Sequence, residues 1–171
     1  MAGRPLDPAR LGDHLDRLYR AAWALCGTRE DAEDLVQDTY ARVLAKPRML
    51  RNDDDLGYLL RVLRNTFISR HRTAERRPQT EPFAETAEPA DEREGLRPDA
   101  VLASQEVFAA IAALPPDFRD ALVAVDVAGL SYREAGKLLG AKEATITSRL
   151  HRARRQVVAA LGQESPTEGV S

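Results

Sequence analysis

LSYREAGKLLGAKEATITSRLHRARRQVVAAL, residues 130–161, is the stretch on which the architecture turns. Ser131 is a good helix N-cap, and Glu134 stands three residues on in the capping-box position. Ala135, Leu138 and Leu139 then form a short apolar stripe, and Gly140 supplies the stop. A longer helix from Ala144 to Leu161 turns Ile146, Leu150, Ala153, Val157 and Leu161 inward. A short helix, a tight glycine turn and a longer helix make the layout of a helix-turn-helix. The second helix exposes Thr145, Thr147, Ser148, Arg149, His151, Arg152, Arg154 and Arg155. Guanidinium groups can fork onto guanine, hydroxyls serve as donors or acceptors, and the remaining arginines can neutralise phosphates. An ordinary helical hairpin with a solvated basic face shares this spacing.

Upstream, Val101, Leu102, Val107, Phe108, Ile111 and Leu114 recur at helical spacing, stop at Pro115-Pro116, and are followed by Phe118, Leu122, Val123 and Val125. Two further helices are expected there. Before them, residues 78–99 hold Pro78, Pro82, Pro89 and Pro98 among Glu, Ala and Thr. The acids Glu81, Glu85, Glu88, Asp91, Glu92, Glu94 and Asp99 outweigh Arg93 and Arg97. Such a composition cannot bury a core and predicts an extended, flexible acidic linker.

The N-terminal portion repeats the helical pattern with the charges sorted by helix. Leu11, Leu15, Leu18, Tyr19, Ala22 and Leu25 form one stripe ending at Gly27. Thr28 caps a second helix that buries Ala32, Leu35, Val36, Thr39, Tyr40, Val43 and Leu44 and closes at Pro47. Its other face carries Glu30, Asp31, Glu33, Asp34, Gln37 and Asp38, either a solvated surface or a dock for a basic partner. Asn52-Asp53-Asp54-Asp55 opens a third helix with Leu56, Leu59, Leu60, Leu63, Phe67 and Ile68 inside. Its polar side is basic, with Arg61, Arg64, Arg70, Arg72, Arg76 and Arg77 against Glu75, which suits a nucleic-acid strand. Asn65 has the bidentate amide to read a base edge or is a surface amide. Phe67 either stacks on a base or continues the core stripe.

The fold class is therefore all-α, two small helical domains and a linker: 1–77, 78–99, 100–162, and a disordered tail at 163–171. At 171 residues the length allows this, and 43% hydrophobic residues with only 5% aromatics favours helices. With a net charge of −2, nucleic-acid affinity depends on local basic faces and on a partner. The single Cys26 cannot form an internal disulfide and reads as a small core hydrophobe. The N-terminal residues lack a signal-peptide core, and no segment reaches the roughly 20 apolar residues of a membrane span, so a cytoplasmic protein without membrane insertion is expected. His14, His71 and His151 are scattered, Cys26 has no CxxC partner, and no phosphate-binding glycine loop or GxSxG is present. No catalytic, metal or cofactor residue is assigned, and the reading excludes an enzyme.

The segments GTREDAEDLVQDTYARVL (27–44), GYLLRVLRNTFISRHR (57–72) and LPPDFRDALVAVDVAGLSYREAGKLLGAKEATITSRLHRARRQV (114–157) together resemble regions 2 and 4 of sigma-70-type factors in the extracytoplasmic-function (ECF) group. The resemblance implies an RNA polymerase sigma factor that brings core polymerase to promoters and helps open the DNA. It implies that Asp31, Glu33, Asp34, Leu35, Gln37 and Asp38 dock on the β′ clamp helices. Arg61, Arg64, Asn65, Thr66, Ser69 and Arg70 would read the −10 element, Asn65 helping to capture a flipped base. Thr145, Thr147, Ser148, His151 and Arg152 would face the −35 element, with Arg149, Arg154 and Arg155 on phosphates. The β flap and an anti-sigma factor are further implied partners. Gly136, where the family usually has Ala, is expected to cost about 0.5–1 kcal/mol of helix propensity. Lys142 and Ala144 replace the family's usual turn residues, and Thr147 stands where Lys or Arg is common. A stand-alone helix-turn-helix repressor or activator is the alternative, predicting a dimer on a palindrome.

Overall fold

The computed structural model describes residues 3–46, 49–50, 54–76 and 98–163. Helices dominate both halves of the described chain. The first half holds β1 (Arg4–Pro5), a 3-10 turn (Pro8–His14), α1 (Leu15–Cys26), α2 (Arg29–Ala45), β2 (Met49–Leu50) and α3 (Asp55–Arg76). The second holds α4 (Pro98–Ala112), α5 (Pro116–Leu122), a π turn (Val123–Val127), α6 (Tyr132–Leu139) and α7 (Glu143–Gln163).

Local chemistry explains most of the boundaries. Gly27, at φ 85°, returns its N–H to the Trp23 carbonyl and ends α1 in the left-handed conformation that glycine adopts without steric cost. Thr28 Oγ1 accepts the Asp31 N–H and opens α2. Asp54 Oδ1 accepts the Gly57 N–H at 2.9 Å, so this residue of the expected start signal caps α3. The capping box of α6 is complete, with Glu134 N–H donating to Ser131 Oγ at 3.1 Å and Ser131 N–H to Glu134 Oε2 at 2.7 Å. After α5 the Ala128 N–H reaches back to the Val123 carbonyl at 2.8 Å, a five-residue step that widens the turn into a π segment.

Several sequence expectations change. Arg4–Pro5 and Met49–Leu50 form a two-residue antiparallel ladder, too short to leave a period-two signal. Leu15, placed in the first stripe, is 42% exposed because α1 follows a 3-10 turn, whose tighter pitch shifts the register. Leu44, expected inside, is 54% exposed in the last turn of α2. Pro98 and Asp99, read as linker, begin α4, and Gln163, read as tail, completes α7. The rest of the linker, Pro47, Asn52, Asp53 and residues 164–171 lie outside the described residues.

One hydrophobic core runs through both halves. Leu18, Leu35, Leu59 and Leu63 lie fully buried on the first side, Ile146 and Leu150 on the second. Helix α1 is the shared wall, packing on α2 and α3 and also on α4 and the π turn. Trp23 meets Phe108 of α4 with ring centroids 4.7 Å apart and the planes tilted by 49°, an aromatic pair across the seam.

Candidate nucleic-acid and partner surfaces

Helix α7 presents the most open polar face. Ile146, Leu150 and Ala153 are buried against the domain, which leaves Thr147, Ser148, His151, Arg152 and Arg155 exposed on the opposite side, while Thr145 and Arg149 are half-buried. Thr147 and Ser148 donate to the carbonyls of Glu143 and Ala144, which leaves their oxygens able to accept. Two of the expected phosphate contacts are already engaged. Arg154 makes a bidentate pair with Asp126 at 2.9 and 2.8 Å, tying α7 to the π turn. That hydrogen-bonded carboxylate raises the Arg154 pKa above its usual value. Arg149 lies 3.6 Å from Asp117 at the start of α5.

The turn between α6 and α7 corrects the reading of Gly136. A Cβ there would sit 2.6 Å from the Ala141 carbonyl oxygen, and both Gly140 and Ala141 donate to the Gly136 carbonyl. Glycine therefore permits the close approach that sets α7 against α6, and the propensity it lacks is secondary.

Helix α3 is less open. Arg61, Asn65, Ser69 and Arg70 are exposed. Thr66 is fully buried, donates to the Val62 carbonyl at 2.7 Å, and cannot touch DNA in this arrangement. Its position two residues after Arg64 puts it on the inner face. Phe67 is 5% exposed and belongs to the core. Its ring packs edge-on to His71 at 4.4 Å and under the Arg119 guanidinium at 4.8 Å. Arg64, at 31% side-chain exposure, donates through Nε to Asp120 of α5 at 3.0 Å. Further along α3, an open hollow is lined by Arg42 of α2 and Ser69, Arg70, Thr73 and Ala74, large enough for a backbone phosphate.

On α2, Asp31, Asp34 and Gln37 are exposed and Glu33 and Asp38 half-exposed. Leu35 is fully buried, so its expected contact with a partner is replaced by a role in the core. Asp38 lies 3.5 Å from both Arg42 and Arg70, linking the acidic face of α2 to the basic face of α3.

The profile of Sigma-70 region 2 matches residues 11–77, and that of Sigma-70, region 4, matches 104–157. The chain is 39% identical, over 84% of its length, to the ECF RNA polymerase sigma factor SigE of Mycolicibacterium smegmatis, and spans 57% of that relative. It is 36% identical to the ECF sigma factor EcfG of Rhodopseudomonas palustris, covering 82% of this chain and 76% of the relative. The chain belongs to the ECF group of sigma-70 factors. Its fold is similar to that of RpoE from Bartonella quintana, solved in complex with the anti-sigma factor NepR, with a TM-score of 0.67 and 30% identity over 91% of this chain and 96% of that one.

Within this sigma-70 chain the region 2 match covers α1, α2 and α3, and the region 4 match takes in most of α4, all of α6 and α7 as far as Val157. Arg119 and Asp120 were not singled out from sequence. The dipeptide sits in a short helix with no charge run, and only the fold brings it onto α3. Arg4 is another such residue. It donates to the buried Asp55 carboxylate at 2.6 Å, tying the N-terminal arm to the start of α3. Cys26 is half-buried, and burial, with Asp31 nearby, pushes its thiol up to about 12, which keeps it protonated and unreactive near neutrality. Among the described residues no helix is long and apolar enough to cross a membrane.

Proposed function

We propose that this ECF sigma factor directs core RNA polymerase to promoters through non-covalent contacts alone, without catalysis. The reading is carried by one observation: the region 4 match ends in a helix whose outer face is free and rich in hydroxyl and guanidinium groups. Thr147, Ser148, His151 and Arg152 meet the −35 element in the major groove. Thr145, Arg149 and Arg155 serve at the edges, and Arg154 supports the helix through Asp126. Arg61, Arg64, Asn65, Ser69 and Arg70 read the −10 strand, Arg64 after leaving Asp120. Asp31, Glu33, Asp34, Gln37 and Asp38 dock on the β′ clamp helices, and the second half meets the β flap.

The functional division runs 1–77, an acidic linker at 78–97, and a second domain from 98. The protein works in the cytoplasm, and an anti-sigma factor holds it inactive, as the NepR complex of its structural relative suggests. A stand-alone repressor leaves the acidic face of α2 and the region 2 match without a role. Run-off transcription with purified core polymerase on a genomic promoter library tests the proposal. Promoter-specific transcripts appearing only with the protein support it, whereas no transcripts and dimeric binding to a palindrome would overturn it.

A further inference from the structure

Two arginines of α7 are matched by carboxylates from other elements, one at each border of its outer face. At about 100° per residue, Arg154 stands beside Thr147 at one border and Arg149 beside Arg152 at the other. Arg154 donates through Nε to Asp126 Oδ2 at 2.9 Å and through Nη2 to Asp126 Oδ1 at 2.8 Å, so both carboxylate oxygens are engaged. Arg149 comes only within 3.6 Å of Asp117, whose side chain is 73% exposed. Asp126 belongs to the π turn and Asp117 to the first turn of α5, so the fold brings both carboxylates to α7.

The borders are where DNA phosphates lie. A helix seated in a major groove about 12 Å wide has a sugar–phosphate strand along each side. Guanidinium groups at the borders bring attraction that ignores sequence, and each one that neutralises a phosphate steepens the fall of affinity with salt. A carboxylate makes the same bidentate demand on a guanidinium as a phosphate does. Asp126 therefore occupies the donors that Arg154 would turn to a DNA strand. We infer that Asp126 is a brake on sequence-independent DNA binding by α7: it withholds Arg154 from the phosphates and leaves affinity to rest on Thr147, Ser148, His151 and Arg152. Asp117 restrains Arg149 in the same sense but less, because a single exposed contact is loose and screened. The inference rests on the −35-reading role proposed above. If the Arg154–Asp126 pair only braced α7 against the π turn, breaking it would instead lower affinity for every sequence.

The sign of the effect is read on holoenzyme assembled from core polymerase and the full chain. It is titrated across about 50–200 mM salt on two duplexes that share one −10 element. One duplex carries the −35 box preferred in run-off transcription, the other a scrambled box. Asp126→Asn should tighten binding to both duplexes about threefold to tenfold at the low-salt end and steepen the log–log salt slope by about one. Asp117→Asn, at a site too exposed to threaten the fold, should move both quantities the same way by less. Asp126→Asn made in an Arg154→Gln chain should bring no gain. Unchanged or weaker binding by an Asp126→Asn chain with wild-type helix content by circular dichroism would overturn the brake. If that variant loses helix content, Asp117→Asn decides alone, and no gain there overturns the inference. A gain that persists with Arg154→Gln would overturn the withholding of Arg154. Failure of the −35-reading role shows separately, as equal affinity of the wild-type holoenzyme for the two boxes.

Discussion

Helices α3 and α7 are built alike and placed differently. Each is long, basic on one side and apolar on the other, and each lies within a sigma-70 match. Among the described residues, Thr147, Ser148, His151, Arg152 and Arg155 on the outer face of α7 are exposed, and the flanking Arg149 and Arg154 pair with Asp117 and Asp126. The equivalent face of α3 has Arg64 drawn into a buried cluster, and its neighbour Phe67 lies beneath a guanidinium from α5. A recognition surface is therefore decided by what packs beside a helix as much as by which residues the helix carries.

The strongest challenge to this contrast is to ask whether the two helices share one cooperative unit. Leu63→Ala in α3 and Leu150→Ala in α7 should each cost about 2–5 kcal/mol, because both side chains are fully buried and leave a cavity. If the core is continuous, urea unfolding followed by circular dichroism shows one transition that either variant lowers. Two transitions, each moved by one variant only, would mean that α3 and α7 belong to independent units.

Gly136→Ala sharpens the placement of α7. Helix propensity alone predicts a gain of about 1 kcal/mol, whereas the 2.6 Å approach of the Ala141 carbonyl predicts a loss of about 1–3 kcal/mol. Thermal melting decides between the two signs.

Within α7, Arg152→Ala should cost about 1–3 kcal/mol on the preferred −35 box and less on other sequences, since its side chain is free to reach a base. Arg154→Ala should weaken promoter binding less and lower stability, because Asp126 loses its partner. Arg149→Ala should weaken all sequences alike. Electrophoretic mobility shifts with the holoenzyme on matched and scrambled boxes separate the three, and equal losses for Arg152→Ala on both boxes would remove its role in reading sequence.

The smallest effect concerns the helix that supports α7. Ser131→Ala removes an N-cap and should cost about 1 kcal/mol. Hydrogen bonds from the Ser131 backbone and side chain hold the Glu134 carboxyl below its usual pKa. The stability tied to that depression is present above the unfolded value of about 4.3 and is lost as pH falls through the folded value. The urea midpoint of the wild-type chain should therefore decline below about pH 4, and Ser131→Ala, which keeps the backbone N–H that is the larger cause, should flatten that decline only in part.

The residues that announce themselves in the sequence act through their neighbours in the chain. The helix-turn-helix was legible because Ser131, Glu134 and Gly140 cap and stop a helix over distances of a few residues, and because Ile146, Leu150 and Ala153 repeat with the helical period. The acidic face of α2 and the basic face of α3 were legible for the same reason. Burial was less so: the stripe misplaced Leu15 and Leu44 and gave no sign that Thr66 would be enclosed, while Leu35 is buried where the stripe put it, against the contact that the resemblance implied. Gly136 looked like a weakness because propensity is local, while its purpose depends on Ala141 folding back within 2.6 Å. The sequence by itself determined the helices, their caps, the charge of each face and the family. Only the tertiary structure decided that Arg64 meets Asp120, 56 positions away. A contact between distant residues follows from how whole helices pack, and no periodic pattern along the chain records that packing.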